Sequence, residues 1–440
     1  MENVSTVEVL AEVASRTVRE ATSQTRADAA TELLDSVGCM IRGGDHAISG
    51  EFLDYARSWH PGDDTEAIAV DAALPLEQAV VLDALACHVD EFDSLHAGSA
   101  TVPAAVVAAP ALHLGRAMGV SGRKVIDAVI AGYQVTGTVA ARFGGSGLYA
   151  AGWWPTSTFG SLGSAAAAAT LLGLDEERTC HALGIASIGS GGLLAGDRLG
   201  GGHYLSAARA AAAGAAAALQ AKAGVQASWK ALDDPARAAF LGSGSDPFPA
   251  PSSTAVVSEC VTKWYPCARP LHAVVEALRS LRDRYVDLST ITRVEIGLDP
   301  GVLAFVTDRR DVIGPTEAAA SAAFVVDAVC GGHEAEVGWF REARLRPSAP
   351  EVVVEALETD GPATAWSARV RCRTSSGAWQ EVAAASRTDA DREGVGAKFL
   401  ANVTAAGFDT EAADDLRRSL VDLDDADDLG FFAAALRRRP

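Results

Sequence analysis

The chain has 440 residues, 49% hydrophobic and 21% charged, which excludes disorder as its overall state. Single cores stop growing at roughly 250–300 residues, so the length predicts two domains. With 37 basic and 57 acidic residues the formal charge is −20, which argues against nucleic acid or an anionic membrane as a partner while leaving room for a local anion site.

In chain order, residues 27–42 place Ala30, Leu33, Leu34, Val37 and Ile41 at three- and four-residue spacing, one apolar helical face. Residues 102–118 read as a helix with Pro103 in its first turn and a kink or restart at Pro110. Ser121 caps a helix over 121–142, and helices follow over 157–172, 176–188 and 204–223. The apolar run 204–219 is too short and too alanine-rich to cross a membrane. Glycine clusters at 144–147, 189–192 and 200–202 punctuate the helices.

The texture changes at 242–255, a Gly/Ser/Pro stretch that reads as a boundary or exposed loop. Strands are expected over 292–298, 351–358, 366–373 and 379–384, alternating with helices over 272–285 and 317–330. The tail returns to helix over 393–406 and 410–421, ahead of a final apolar turn. The fold class expected is mainly α, with a smaller α+β unit. Seven cysteines without a CxxC pair suit reduced thiols in a cytoplasm, no metal-ligand spacing appears, and the acidic N-terminus is no signal peptide.

A set of motifs in fixed order resembles the MmgE/PrpD family, which contains 2-methylcitrate dehydratase and cis-aconitate decarboxylase. Leu33-Leu34-Asp35-Ser36-Val37-Gly38 is similar to the family's LLD-x-x-G, and the segment His88 to His96 to its HALDFDD, followed by Val102-Pro103. Ser121-Gly122, Gly132-Tyr133, Gly160 to Ala169 and Leu171 to Leu174 continue the pattern, and Lys263 to His272 matches K-x-YP…R-x-x-H.

The resemblance implies an all-helical domain built from both chain ends, 1–262 and 393–440, with an α+β lid inserted at 263–392. It also implies a homodimer, an active site in the cleft between helical domain and lid, and chemistry without metal or organic cofactor. Eliminating water or CO2 from a small carboxylate needs cations to hold carboxylates, a base and an acid. Two clusters offer these: Glu91, Asp93 and His96, and then Lys263, Arg269 and His272 around Tyr265. Through the resemblance, Lys263 and Arg269 bind carboxylate, His96 or His203 moves the proton, Asp93 or Glu91 orients the histidine, and His272 protonates the leaving group.

The chain departs from the family pattern at Trp154, His203 and Phe324, which stand where a histidine, a lysine and a tyrosine are usual. With Tyr265, the aromatic pair Trp154 and Phe324 is expected to face an apolar part of the substrate, pointing to a specialised pathway. The reaction expected is a cofactor-independent lyase step, dehydration ahead of decarboxylation. Epimerisation by proton removal and return, or ligand binding without catalysis, are the alternatives.

Overall fold

The computed structural model describes residues 4–194, 200–241, 254–284, 286–333, 336–357, 366–387 and 391–436. The expected boundary at 242–255 falls mostly outside these. The first elements are α1 (Thr6–Glu20), α2 (Ser23–Gly43) and α3 (Ala47–Trp59), then a small hairpin of β1 (Thr65–Glu66) and β2 (Ala73–Leu74). Helix α4 (Leu76–His88) leads to β3 (Leu95–His96), α5 (Ala104–Met118), α6 (Gly122–Arg142) and the single turn α7 (Gly147–Ala150). Helices α8 (Pro155–Leu172), α9 (Glu176–Ile188), α10 (Gly201–Lys222), α11 (Pro235–Leu241) and α12 (Val256–Glu259) end at β4 (Cys260–Val261). Strand β4 pairs antiparallel with β3.

Helix α8 is buried on nearly every side and packs against α5, α6, α9 and α10, as a helix apolar all round must. Small residues make this possible: a side chain at Gly214 would run into the carbonyl of Ser161, and one at Gly163 into the Thr136 hydroxyl. Ser121 caps α6 by accepting from the Lys124 N–H at 3.4 Å. At Pro110 no restart occurs; α5 runs through it unbroken.

The second half holds α13 (Arg269–Asp283), β5 (Ile291–Leu298), α14 (Pro315–Ala319), α15 (Ala322–Cys330), α16 (Val337–Glu342), β6 (Glu351–Ala356), β7 (Ser367–Thr374) and β8 (Trp379–Ala385). The four strands form one sheet in the order β6-β5-β7-β8, with β5 parallel to β6 and the other pairs antiparallel. Val294, Ile296, Val370 and Cys372 alternate onto the face covered by α13 and α15, giving a second hydrophobic core. The helix expected over 317–330 is two pieces, because Thr307 exchanges backbone hydrogen bonds with Ala320 and Ala322 and interrupts the ladder at Ser321. Helices α17 (Arg392–Ala405) and α18 (Thr410–Val421) pack on α2, with Phe399 against Gly38, and α19 (Phe431–Leu436) closes the described chain. The molecule is mainly α with a smaller α+β part. No helix among the described residues is long and apolar enough to cross a membrane, and all seven cysteines are free.

Candidate active site

Helix α4 stops at His88, and the segment 89–94 then crosses to β3 with Glu91 in the left-handed region at φ 54°. A non-glycine residue held there needs surroundings that fix it. They are supplied from across the chain. Asp90 is gripped by Arg341 of α16 at 2.6 and 3.0 Å. Glu91 accepts from Lys263 Nζ at 2.7 Å and from the Tyr204 hydroxyl at 3.0 Å. The Phe92 carbonyl accepts from Lys398 Nζ at 2.6 Å, and Lys398 also pairs with Asp35 at 2.7 Å. Ser94 donates to the buried carboxyl of Glu32.

Asp93, fully buried, sits 2.8 Å from His88 Nδ1, which leaves His88 Nε2 facing Glu91 Oε1 at 3.6 Å. Trp154 lies between two histidines, its ring centroid 5.4 Å from His88 and 3.7 Å from His203, both stacked. The Trp154 backbone is anchored by its amide N–H, which donates to the Gly192 carbonyl at 2.9 Å. His88, Glu91, Trp154, His203 and Lys263 line one pocket together with Tyr149, Arg269, Ala320 and Trp366. It holds about 60 Å³, below the roughly 300–1,000 Å³ of small-molecule sites, so a ligand must widen it.

Burial and charge divide the titratable groups. Burial would raise Glu91, but Lys263 and His88 outweigh it and hold the carboxyl down at about 2. Burial likewise opposes a charge on His88, yet Asp93 and Glu91 overcome it and raise the imidazole above its ordinary value. His203 lacks such compensation, and burial lowers it to about 3. The pocket therefore favours the charged form of one imidazole, the charged form of a carboxylate paired with Lys263, and the neutral form of a second imidazole.

Of the residues expected from sequence, the lining includes Glu91, Trp154, His203, Lys263 and Arg269. Asp93 stands behind it, against His88. His96 is not in the lining: β3–β4 pairing leaves its ring engaged with Ser99 at 2.7 Å and Glu259 at 3.2 Å. His272 is buried beside the pocket, with Nδ1 3.0 Å from an Arg269 nitrogen and Nε2 unpartnered among the described residues. Burial and the Arg269 charge push it well down. Arg269 also donates to the Arg387 carbonyl at 2.6 Å.

Two aromatic expectations are corrected. Phe324 belongs to the second core on α15, and Tyr265 turns its hydroxyl to Glu276 at 2.8 Å with its ring edge-to-face on His272. Neither lines the pocket. The residue missed was His88. Its signal was present, since a histidine three residues before Glu91 and five before Asp93 places an imidazole between two carboxylates. Tyr204, next to His203, was also missed.

The family model for the MmgE/PrpD N-terminal domain matches residues 8–248. Among curated proteins, the cis-aconitate decarboxylase-like protein oryM of Aspergillus oryzae is 29% identical over 62% of this chain and 61% of its own length. A cis-aconitate decarboxylase of Aspergillus terreus is 27% identical over 58% of this chain and 56% of its own. The matched region thus spans less than two thirds of the length of either relative. With more than half the chain under the family model, and the motif order continuing beyond it, the chain belongs to the MmgE/PrpD family.

Proposed function

We propose that this protein is a lyase that removes CO2 from a small unsaturated carboxylate, in a cleft between the helical domain and the lid. The division proposed is 1–262 with 393–440 for the former and 263–392 for the latter, working as a homodimer. The observation that carries the reading is the run His88–Glu91–Lys263 in one pocket with Arg269 and His203, backed by Asp93 on His88. Lys263 and Arg269 hold carboxylates, as point charge and planar fork respectively. The C–CO2 bond on the carbon next to the alkene breaks, its electron pair forms a new C=C to the near alkene carbon, and the displaced π pair takes a proton at the far alkene carbon. His88, charged by Asp93 and Glu91, supplies that proton.

Dehydration stood ahead on sequence alone, but it needs a base strong enough to remove a carbon-bound proton. Glu91 held at about 2 and His203 at about 3 are weak bases, while decarboxylation asks the pocket chiefly for an acid. Epimerisation meets the same objection. The name of the Aspergillus terreus relative, cis-aconitate decarboxylase, and that of the decarboxylase-like Aspergillus oryzae protein support the same choice. No cofactor enters the step so drawn.

The test is incubation with cis-aconitate and related unsaturated di- and tricarboxylates in D2O. CO2 release with one deuterium gained at carbon is expected, abolished in Lys263→Ala and in His88→Ala with the fold intact by circular dichroism. Release of water without CO2, or full rates in both variants, overturns the reading.

A further inference from the structure

We propose that His88, Glu91 and His203 form a binding site for one divalent transition-metal ion of the zinc class, and that the ion inhibits the enzyme. One donor atom from each residue lies within 4.8 Å of the other two. The His88 Nε2 to Glu91 Oε1 distance of 3.6 Å is near the edge of a tetrahedron about 3.3 Å long that metal–donor bonds of about 2.0–2.1 Å imply. Two imidazoles and one carboxylate, without thiolate, suit Zn2+ or Co2+ better than Mg2+ or Ca2+.

Two features point beyond coincidence. The carboxylate of Asp93 holds His88 Nδ1 at 2.8 Å, the outer arrangement that orients metal-binding histidines. His203 is only 6% exposed and its Nδ1 has no hydrogen-bond partner among the described residues. The Trp154 stack fixes that ring. Lys263 occupies the other oxygen of Glu91, Oε2, so the carboxylate can bridge ammonium and ion, while the Tyr204 hydroxyl on Oε1 must give way. His203 lies more than a hundred residues from His88 and Glu91 in sequence, which is why no ligand spacing is visible in the chain.

The inhibitory consequence rests on the lyase reading, because the ion takes the His88 and His203 nitrogens. The binding itself does not. The experiment is titration of EDTA-treated, desalted full-length protein with Zn2+ by calorimetry and with Co2+ by absorption. One saturable site is expected. Asp93→Asn should weaken it about 10–100-fold, and His88→Ala and His203→Phe should each weaken it at least as much. His203→Phe keeps a ring on Trp154, so it tests the nitrogen rather than the stack. His333→Ala, an exposed histidine, should leave affinity unchanged. Absence of a saturable site in the wild type, or equal affinity in His88→Ala and His203→Phe, overturns the proposal. Binding without turnover would sink only the lyase reading, and CO2 release without binding only the ion site.

Discussion

At the scale of single residues, the pocket is a case of identical side chains given opposite tasks by their surroundings. His88 has two carboxylates beside it and is raised; His203 has an indole on its face, too little opposing charge, and is lowered to about 3. As the proposed acid, His88 works protonated, so the rate constant for turnover should fall as pH rises through its value. Asp93 is one of the causes raising that value. Asp93→Asn should therefore shift the falling limb of the pH–rate profile to lower pH, as measured with saturating substrate. A limb that stays in place would show that another group gives the proton.

Legibility at this scale was uneven for a physical reason. Lys263, Arg269 and Glu91 were singled out because a cation cluster and an acidic run are visible along the chain, and His203 only through the family pattern; all four line the pocket. Phe324 was misplaced because an aromatic residue serves a core as readily as a pocket wall, and sequence does not say that α15 belongs to the second core.

At the scale of elements, most helices and all four strands of the large sheet stand where hydrophobic periodicity put them, and the differences come from tertiary contacts. Periodicity cannot register the bridge at Thr307 that splits α14 from α15, nor the packing that carries α5 through Pro110. Helix α10 begins three residues earlier than its pattern suggested, which moves His203 from a loop into the first turn of a rigid element. Its mate is α8, reached closely at Gly214. Gly214→Val should force the two helices apart and cost about 1–3 kcal/mol. Urea unfolding followed by circular dichroism would check this, and an unchanged midpoint would mean that the helices yield at no cost.

At the scale of the whole molecule, burying ionisable groups beneath the site makes stability depend on pH. Burial raises Glu32 from 4.5 to about 8, although its hydrogen bonds from Ser94 and Tyr133 act the other way. The folded carboxyl thus holds its proton more tightly than the unfolded one. Its contribution is complete below pH 4.5 and is lost as pH rises to about 8. Glu32→Gln keeps the volume and removes the charge. The variant should lose less stability than the wild type across that window, in melts taken from pH 5 to 9; parallel curves would refute the assignment.

The grip of Lys398 on the Phe92 carbonyl also has a consequence in time. The two residues are 306 positions apart, and at about 5–20 residues per second of synthesis the lysine follows its target by roughly 15–60 s. Throughout that interval the nascent segment around Glu91 lacks one of the contacts that hold its left-handed backbone. The helices packed earlier have to keep their places around an unfinished centre. The pocket is then set by residues made long after the segment they hold.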